Sequence, residues 1–450
     1  MDAITNIFKA YDIRGEVGTE LTPSVAESIG KAFADWLPET GTVAVGRDMR
    51  PDSAELADAL IAGLQAQGRT VINIGEVTSD MIYFAVGSLK LAGGAMVTAS
   101  HNPGKYNGIK LCREEARPIG QDSGLFEIRD AIISGTYKPS APQPGNIEQQ
   151  DVSEDWITHV LSFIDVTRLN ELNIAVDAGN GMAGKIFPEL EPYVPWQVQE
   201  LYFELDGTFP NHEANPLKFE TLADLIACIK SQKLDGGIAF DGDGDRAFLV
   251  DETGTVLSGN VMNAMLAEYF LQKFPGSTIL YDLRSSHAIP ELIEANGGRV
   301  VRTRVGHSFI KQVMREQNAP FGGEISGHFY FRDNYYADSG LIAAVIGLYV
   351  AGLSGKKLSE LRKQYTKYPT ISETNFEVAN KDTVFARLKE AFKDAKQDEL
   401  DGLTFEFSDG SWLNVRASNT EPVMRLNAEA KSQAELDRLV SKVTALIKGE

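Results

Sequence analysis

A chain of 450 residues exceeds a single hydrophobic core, since domains hold roughly 100–200 residues, so three or four domains are expected. A hydrophobic fraction of 43% with 24% charged residues excludes a disordered or fibrous chain, and 43 Lys and Arg against 63 Asp and Glu, a formal charge of −20, set the average surface against nucleic acid and anionic membranes. A basic pocket inside that acidic shell remains open to a small anion.

In chain order, the N-terminal MDAITNIFKAYDIRG has neither the basic nor the apolar region of a signal peptide. The longest apolar run, LIAAVIGLYVAGL (341–353), is shorter than the roughly 20 residues of a membrane span. Cys112 and Cys228, the two cysteines, form no CxxC spacing, so no disulfide framework or cysteine zinc site is expected and a cytoplasmic setting fits. Six β-rich runs end in polar or glycine-rich loops and lead into helical periodicity: TVAVGRD, GGAMVTASHN, NIAVDAGNG, GGIAFDGDGDR, STILYDLRSS and APFGGEISGH. In open α/β sheets ligands sit outside the carboxyl ends of strands, so these loops are where chemistry is expected. SGTYKPSAPQPGNIEQQ (134–150) reads as a linker, ETGTVLS (252–258) as a second boundary and KYPT (367–370) as a third. TFEFSDGSWLNVRAS then alternates as antiparallel strands do, between helices at 381–395 and 432–447. The expected domains are 1–145, 146–253, 254–367 and 368–450, the last of α+β type.

The first motif is VTASHNPGKYNGIK, which presents Ser100 at a strand end. His101 is adjacent, but neighbours in an extended segment point to opposite faces, which argues against a Ser-His dyad, and no G-x-S-x-G elbow is present. A phosphoryl carrier and a plain capping or turn serine both remain. AVDAGNGMAG spells G-x-G-x-x-G with Gly179, Gly181 and Gly184, but Asp177 sits where a pyrophosphate would approach, which favours a structural turn over a dinucleotide site. In FDGDGDRAF the carboxylates of Asp241, Asp243 and Asp245 alternate with glycines, so a curled loop can aim them at one cation, Mg²⁺ or Ca²⁺. Glu252 completes EF-hand spacing, but Arg246 holds the position that demands glycine and the flanks look like strands; a catalytic or phosphate-bridging Mg²⁺ is preferred. His307 in VGHSF, beside an apolar run, reads as a satisfied half-buried histidine. GGEISGH offers Glu324, Ser326 and His328 to vicinal sugar hydroxyls, and RASNTEP offers Arg416, Ser418, Asn419 and Thr420 to a phosphate, with an ordinary polar turn as the other reading.

TASHNP, DGDGDR, GEISGH and RASNT occur in the order and approximate spacing of the α-D-phosphohexomutases, and the resemblance covers essentially the whole chain. The GEISGH form is similar to the bacterial branch of phosphomannomutases and bifunctional phosphomannomutase/phosphoglucomutases. The resemblance implies a heart-shaped α/β molecule, in which three related domains with mixed sheets and a smaller C-terminal α+β domain surround a central cleft. It implies a phosphoserine at Ser100, Mg²⁺ on Ser100, Asp241, Asp243 and Asp245, and catalytic roles for His101, Lys110, Arg14, Arg246 and His328. Arg14, Lys110 and His328 stay open as proton-transfer groups. Substrate contacts fall on Tyr11, Arg284, His307, Glu324, Ser326, Arg416, Ser418, Asn419, Thr420 and Arg425; Arg284 stands where many relatives carry Lys, and Phe329 where some carry His.

The implied reaction interconverts mannose 1-phosphate and mannose 6-phosphate, with glucose phosphates as further substrates, through a hexose 1,6-bisphosphate. Glucose or mannose 1,6-bisphosphate would act as activator, and the enzyme would be a monomer or dimer closing about 367–370. A phosphoglucosamine mutase, a dedicated phosphoglucomutase, and a non-catalytic Ca²⁺ or sugar-phosphate sensor are the alternatives.

Overall fold

The computed structural model describes residues 2–38, 41–417 and 423–449, with side chains from residue 4 onward. Four sheets organise them. The first runs in the order Ile13–Glu16, Tyr106–Arg113, Gly93–Val97, Val43–Arg47, Val71–Glu76 and Ile147–Gln149. Its central strands pair in parallel, while Tyr106–Arg113 runs antiparallel to both neighbours. Gly93–Val97 is buried at every position, as expected of a central strand covered on both faces. The edge strand Ile147–Gln149 lies within the stretch read as a linker and pairs with Val71–Glu76, so the first unit extends past the expected limit at 145.

The second sheet orders Ala247–Asp251, Gly236–Phe240, Leu172–Asp177 and Trp196–Leu201, and the third orders Arg299–Thr303, Thr278–Asp282, Phe321–Gly323, Phe329–Phe331 and Ala337–Asp338. Both mix parallel centres with an antiparallel edge. The fourth, Thr374–Glu377, Val423–Glu429, Trp412–Ala417, Leu403–Glu406 and Lys396–Asp398, is antiparallel throughout and packs against Lys381–Ala391 and Gln433–Lys448. Three α/β units followed by an α+β unit are what the strand grammar predicts, and the mixed sheets are those the resemblance implies.

One apolar core runs from the helix Ser79–Ser88 of the first unit through the second and third, joining Phe84, Trp156, Phe187 and Phe331. The fourth unit keeps its own core around Leu388, Phe405, Leu426 and Val443. The apolar run at 341–353 forms the helix Gly340–Ser354; from Gly340 to Tyr349 it is apolar on all sides because it is buried on all sides. No single helix among the described residues is long and apolar enough to cross a membrane.

Candidate active site

Ser100 follows the strand Gly93–Val97 and is buried, with φ +52°, a left-handed conformation uncommon outside glycine. Arg50 holds the loop there. Its guanidinium donates to the carbonyls of Ser100 (2.9 Å), Asn102 (2.6 Å), Pro103 (3.1 Å) and Tyr106 (2.8 Å), and to the Asp48 carboxylate at 3.2 Å. The left-handed turn also corrects the reading of His101. Alternation to opposite faces applies to extended chain; here the backbone reverses and His101 Nδ1 lies 3.1 Å from Ser100 Oγ. Burial, Arg246 and Arg14 hold the His101 pKa well below the ordinary histidine value, so the imidazole is neutral near pH 7. Arg14 reaches the same loop, donating to Asn102 Oδ1 at 2.8 Å and Ala99 O at 3.3 Å.

The three aspartates sit on the loop between the antiparallel strands Gly236–Phe240 and Ala247–Asp251, all fully buried. Gly244 turns at φ +76°, and a Cβ at Gly242 would stand 2.6 Å from Ser100 O, so glycine lets the two loops touch. Ser100 OγH donates to Asp241 Oδ2 at 3.1 Å, an oxygen that also takes Arg246 Nε at 2.8 Å. Lys110 Nζ lies 2.6 Å from both Asp243 Oδ2 and Asp245 Oδ2. Burial alone would raise the Asp245 pKa, but Lys110 and His328 outweigh it and hold the carboxyl at about 2. Buried Asp243 Oδ1 and Asp245 Oδ1 have no hydrogen-bond donor among the described residues, and oxygens of the three aspartates lie within 4.8 Å of one another. Orphaned, converging hard oxygens fit a divalent cation.

An EF-hand is excluded. Strands flank the loop, and Glu252 turns away to accept from the Ser359 hydroxyl at 2.6 Å and its N–H at 3.2 Å. The glycine-rich run at 179–184 is a structural turn: Asp177 accepts from Gly179 N at 2.9 Å, and Met182 N donates to Gly242 O at 2.9 Å, bracing the aspartate loop.

The third unit faces this cluster. His328 Nε2 is 3.6 Å from Asp245 Oδ1, and its Nδ1 is 3.2 Å from Ser326 Oγ. Glu324 is buried, accepting from Gly306 N at 3.0 Å and Tyr330 OH at 2.6 Å. His307 begins the helix His307–Gln317 and stacks edge-on with Tyr11 at 5.4 Å; desolvation and then Lys311 push its pKa down to about 3. Tyr11, whose hydroxyl donates to Val305 O at 3.2 Å, thus makes its contacts with the His307 loop.

Arg284 grips Asp282 at 2.9 Å and lies 3.6 Å from both Glu324 and Glu373. Glu373 in turn receives Arg416 at 2.9 Å and Arg425 at 3.0 Å. The structure therefore gathers Ser100, His101, Lys110, Arg14, Arg246, the aspartates and His328 into one cluster, and connects Glu324 through Arg284 to the arginines of the fourth sheet. Ser418, Asn419 and Thr420 lie outside the described residues. Sequence reasoning passed over Arg50 and Glu373. Arg50 stands two residues past TVAVGRD, a strand end already marked for chemistry; Glu373 carries no local signal.

A serine oxygen beside open carboxylate oxygens, flanked by fixed cations and faced by polar loops from other units, defines a multidomain enzyme equipped for phosphoryl transfer. Comparison with known proteins makes this specific. Models for domains I, II and III of phosphoglucomutase/phosphomannomutase, each described as alpha/beta/alpha, match residues 5–138, 154–254 and 258–368, and the C-terminal domain model matches 373–446. The chain belongs to the phosphoglucomutase/phosphomannomutase family.

It is 41% identical over 447 residues to phosphohexose mutases of Xanthomonas campestris pv. campestris (strain B100), covering 98% of this chain and 99% of that one. It is 40% identical over 439 residues to a phosphomannomutase of Salmonella montevideo, covering 95% and 96%. The crystal structure of a phosphoglucomutase/phosphomannomutase family protein from Burkholderia thailandensis superimposes with TM-score 0.90 at 32% identity, covering 99% of this chain and 97% of that one.

Proposed function

We propose that the protein interconverts mannose 1-phosphate and mannose 6-phosphate, with glucose phosphates as secondary substrates. A phosphoserine at Ser100 and a hexose 1,6-bisphosphate carry the reaction. The observation that carries this reading is Ser100 Oγ placed 3.1 Å from Asp241 beside the orphaned oxygens of Asp243 and Asp245. Kinship at 40% identity with a phosphomannomutase supports the choice of mannose.

Asp241, Asp243, Asp245 and the Ser100 oxygen would hold Mg²⁺, which when bound supplies charge neutralisation for the transferring phosphoryl group. The chain's own groups do the rest. Phosphoserine 100 gives its phosphoryl group to the free hydroxyl of the hexose phosphate: the new O–P bond forms at the sugar as the Oγ–P bond breaks. The bisphosphate turns end for end, and its other phosphate returns to Oγ. Arg246 and Lys110 stand ready for the charge on the equatorial oxygens. As a proton carrier Arg14 is poorly suited, because Asp12 above all outweighs desolvation and raises its pKa above the ordinary range, and Lys110 is engaged 2.6 Å from two of the carboxylates that would hold the cation. His328, between Ser326 and Asp245, is our choice for the sugar hydroxyl proton, and neutral His101 serves Ser100 Oγ.

Glu324, Ser326, His307, Tyr11 and Arg284 would orient the sugar, and Arg416 and Arg425 with 418–420 would hold the distal phosphate. We assign the domain limits 1–149, 150–253, 254–367 and 368–450, the first moved from the expected 145 because Ile147–Gln149 completes the first sheet, with a hexose 1,6-bisphosphate activator and a cytoplasmic location; Cys112 and Cys228 are both free thiols, which supports a reducing compartment.

The test is to incubate purified protein with mannose 1-phosphate, Mg²⁺ and catalytic glucose 1,6-bisphosphate and measure mannose 6-phosphate. Formation that disappears in Ser100→Ala, together with one covalent phosphate on the native protein, is expected. No product from any hexose phosphate overturns the proposal, and a higher kcat/KM for glucose or glucosamine phosphate overturns the sugar assignment.

A further inference from the structure

Arg416 and Arg425 are directly opposed partners on the antiparallel strands Trp412–Ala417 and Val423–Glu429, so their side chains leave the same face of the sheet. Like charges in that position repel and would splay apart. Here they do not, because one carboxylate lies between them. Glu373 Oε2 accepts from Arg416 Nη2 at 2.9 Å and from Asn427 Nδ2 at 3.0 Å, and Oε1 accepts from Arg425 Nη1 at 3.0 Å. Arg284 of the third unit approaches Oε2 at 3.6 Å. The backbone sets this up: Thr374 pairs with Leu426 and Asn375 with Arg425, a register that brings residue 373 across from Asn427.

We infer that Glu373 is the positioning residue of the distal phosphate grip, fixing the guanidinium planes of Arg416 and Arg425 so that they meet a phosphate already aligned. This rests on the reading of Arg416 and Arg425 as phosphate ligands. One carboxylate between the two guanidiniums removes the repulsion that would disorder them. Although desolvation works against ionisation, Arg284 and Arg416 bring the Glu373 pKa down to about 2, so this carboxylate stays charged throughout the working pH range. Glu373 also stands just beyond KYPT (367–370), on the segment entering the fourth unit, and its reach to Arg284 links the grip to the sugar loop through Glu324. The non-reacting phosphate of either substrate end would meet the same preset fork, because both ends present the same oxygens.

The experiment compares full-length wild type, Glu373→Gln, Glu373→Asp and Arg416→Ala, measuring kcat and KM for mannose 1-phosphate and the competitive Ki of inorganic phosphate. Glu373→Gln should raise KM and Ki about tenfold, the scale of one charge-assisted hydrogen bond, with kcat within about threefold, because interactions shared by ground and transition states act on KM. A general structural defect would lower kcat instead, and that result overturns the inference. So does a fall in KM or Ki, which would make Glu373 an occupant of the phosphate site that substrate displaces; unchanged constants overturn it too. Should the Gln variant fail to fold, Glu373→Asp carries the test: its withdrawn charge should raise KM and Ki with kcat kept, and wild-type constants would refute the role. Arg416→Ala separates the two levels. If it leaves KM unchanged, the phosphate-ligand reading itself falls; if it raises KM while Glu373→Gln does not, only the role of Glu373 falls.

Discussion

Arg50 offers the strictest test of how the serine is held. Its side chain is fully buried, paired at 3.2 Å with the fully buried Asp48, and donates to four carbonyls of the segment 100–106. Replacing it by Ala strands the Asp48 carboxylate, which among the described residues keeps only Ser53, Thr98 and a backbone N–H as donors. Losing one partner of a buried ion pair destabilises by about 3–5 kcal/mol. The more informative change is Arg50→Lys, which keeps the charge but replaces a planar fork by a point charge that cannot reach four carbonyls together. With its anchors gone, the left-handed backbone at Ser100 relaxes, and a displacement near 1 Å at a reacting group lowers rate about 100-fold. Turnover of mannose 1-phosphate at saturating substrate, read beside calorimetric melting of both variants, measures the two effects separately. Wild-type kcat in Arg50→Lys would refute the claim that this guanidinium sets the serine.

Asp243→Asn removes a charge from the orphaned-oxygen cluster and should weaken Mg²⁺ by about tenfold or more, the scale already seen when mere supporting groups around a metal are changed; Mg²⁺ titrations of activity and of thermal stabilisation check it. Glu252→Ala should lower stability by about 1 kcal/mol through the lost Ser359 hydrogen bond and leave the same titration unmoved, whereas an EF-hand would lose its cation. His307 has its pKa lowered to about 3 from an ordinary 6.5, so below pH 6.5 the unfolded chain takes up a proton that the fold refuses. Its contribution to stability is complete above 6.5 and falls with pH, by about 1–2 kcal/mol between 6.5 and 5, and His307→Asn should flatten that part of the pH–stability curve.

The loops that carry the chemistry were legible because each closes a buried strand, and burial writes itself as an apolar run broken by glycine and polar residues. Asp241, Asp243 and Asp245 were legible because alternation with glycine has few structural uses. What the sequence withheld depends on long-range geometry. Glu373 acquires its role from the register of strands some fifty residues on, with Thr374 opposite Leu426 and Asn375 opposite Arg425. Arg50 acts on carbonyls that reach it only when the loop after Gly93–Val97 folds over it. His101 was misjudged because a left-handed serine leaves no mark in a string of letters; the turn residues HNPG announce a loop without saying which residue reverses the chain.

The division of the apolar core explains how one site can serve both ends of a hexose. Ser100 and the aspartates stand on units that share a continuous core through Phe84, Trp156 and Phe331, so the proposed transfer centre cannot shift without disrupting close packing. Arg416 and Arg425 stand on a unit with its own core, docked on the third unit by polar contacts: Arg302 to Glu406 at 3.7 Å, Val305 N to Asp401 at 3.2 Å, and His287 N to Glu429 at 3.0 Å. Contacts of that kind exchange with water at little loss, as they do between domains that move. Under the proposed mechanism the bisphosphate turns over without leaving, which calls for a fixed centre and a grip that opens yet keeps its shape. A carboxylate on the same unit as Arg416 and Arg425 would preserve their alignment through such an opening, while Arg284, on the third unit, would engage Glu373 only with the two units together.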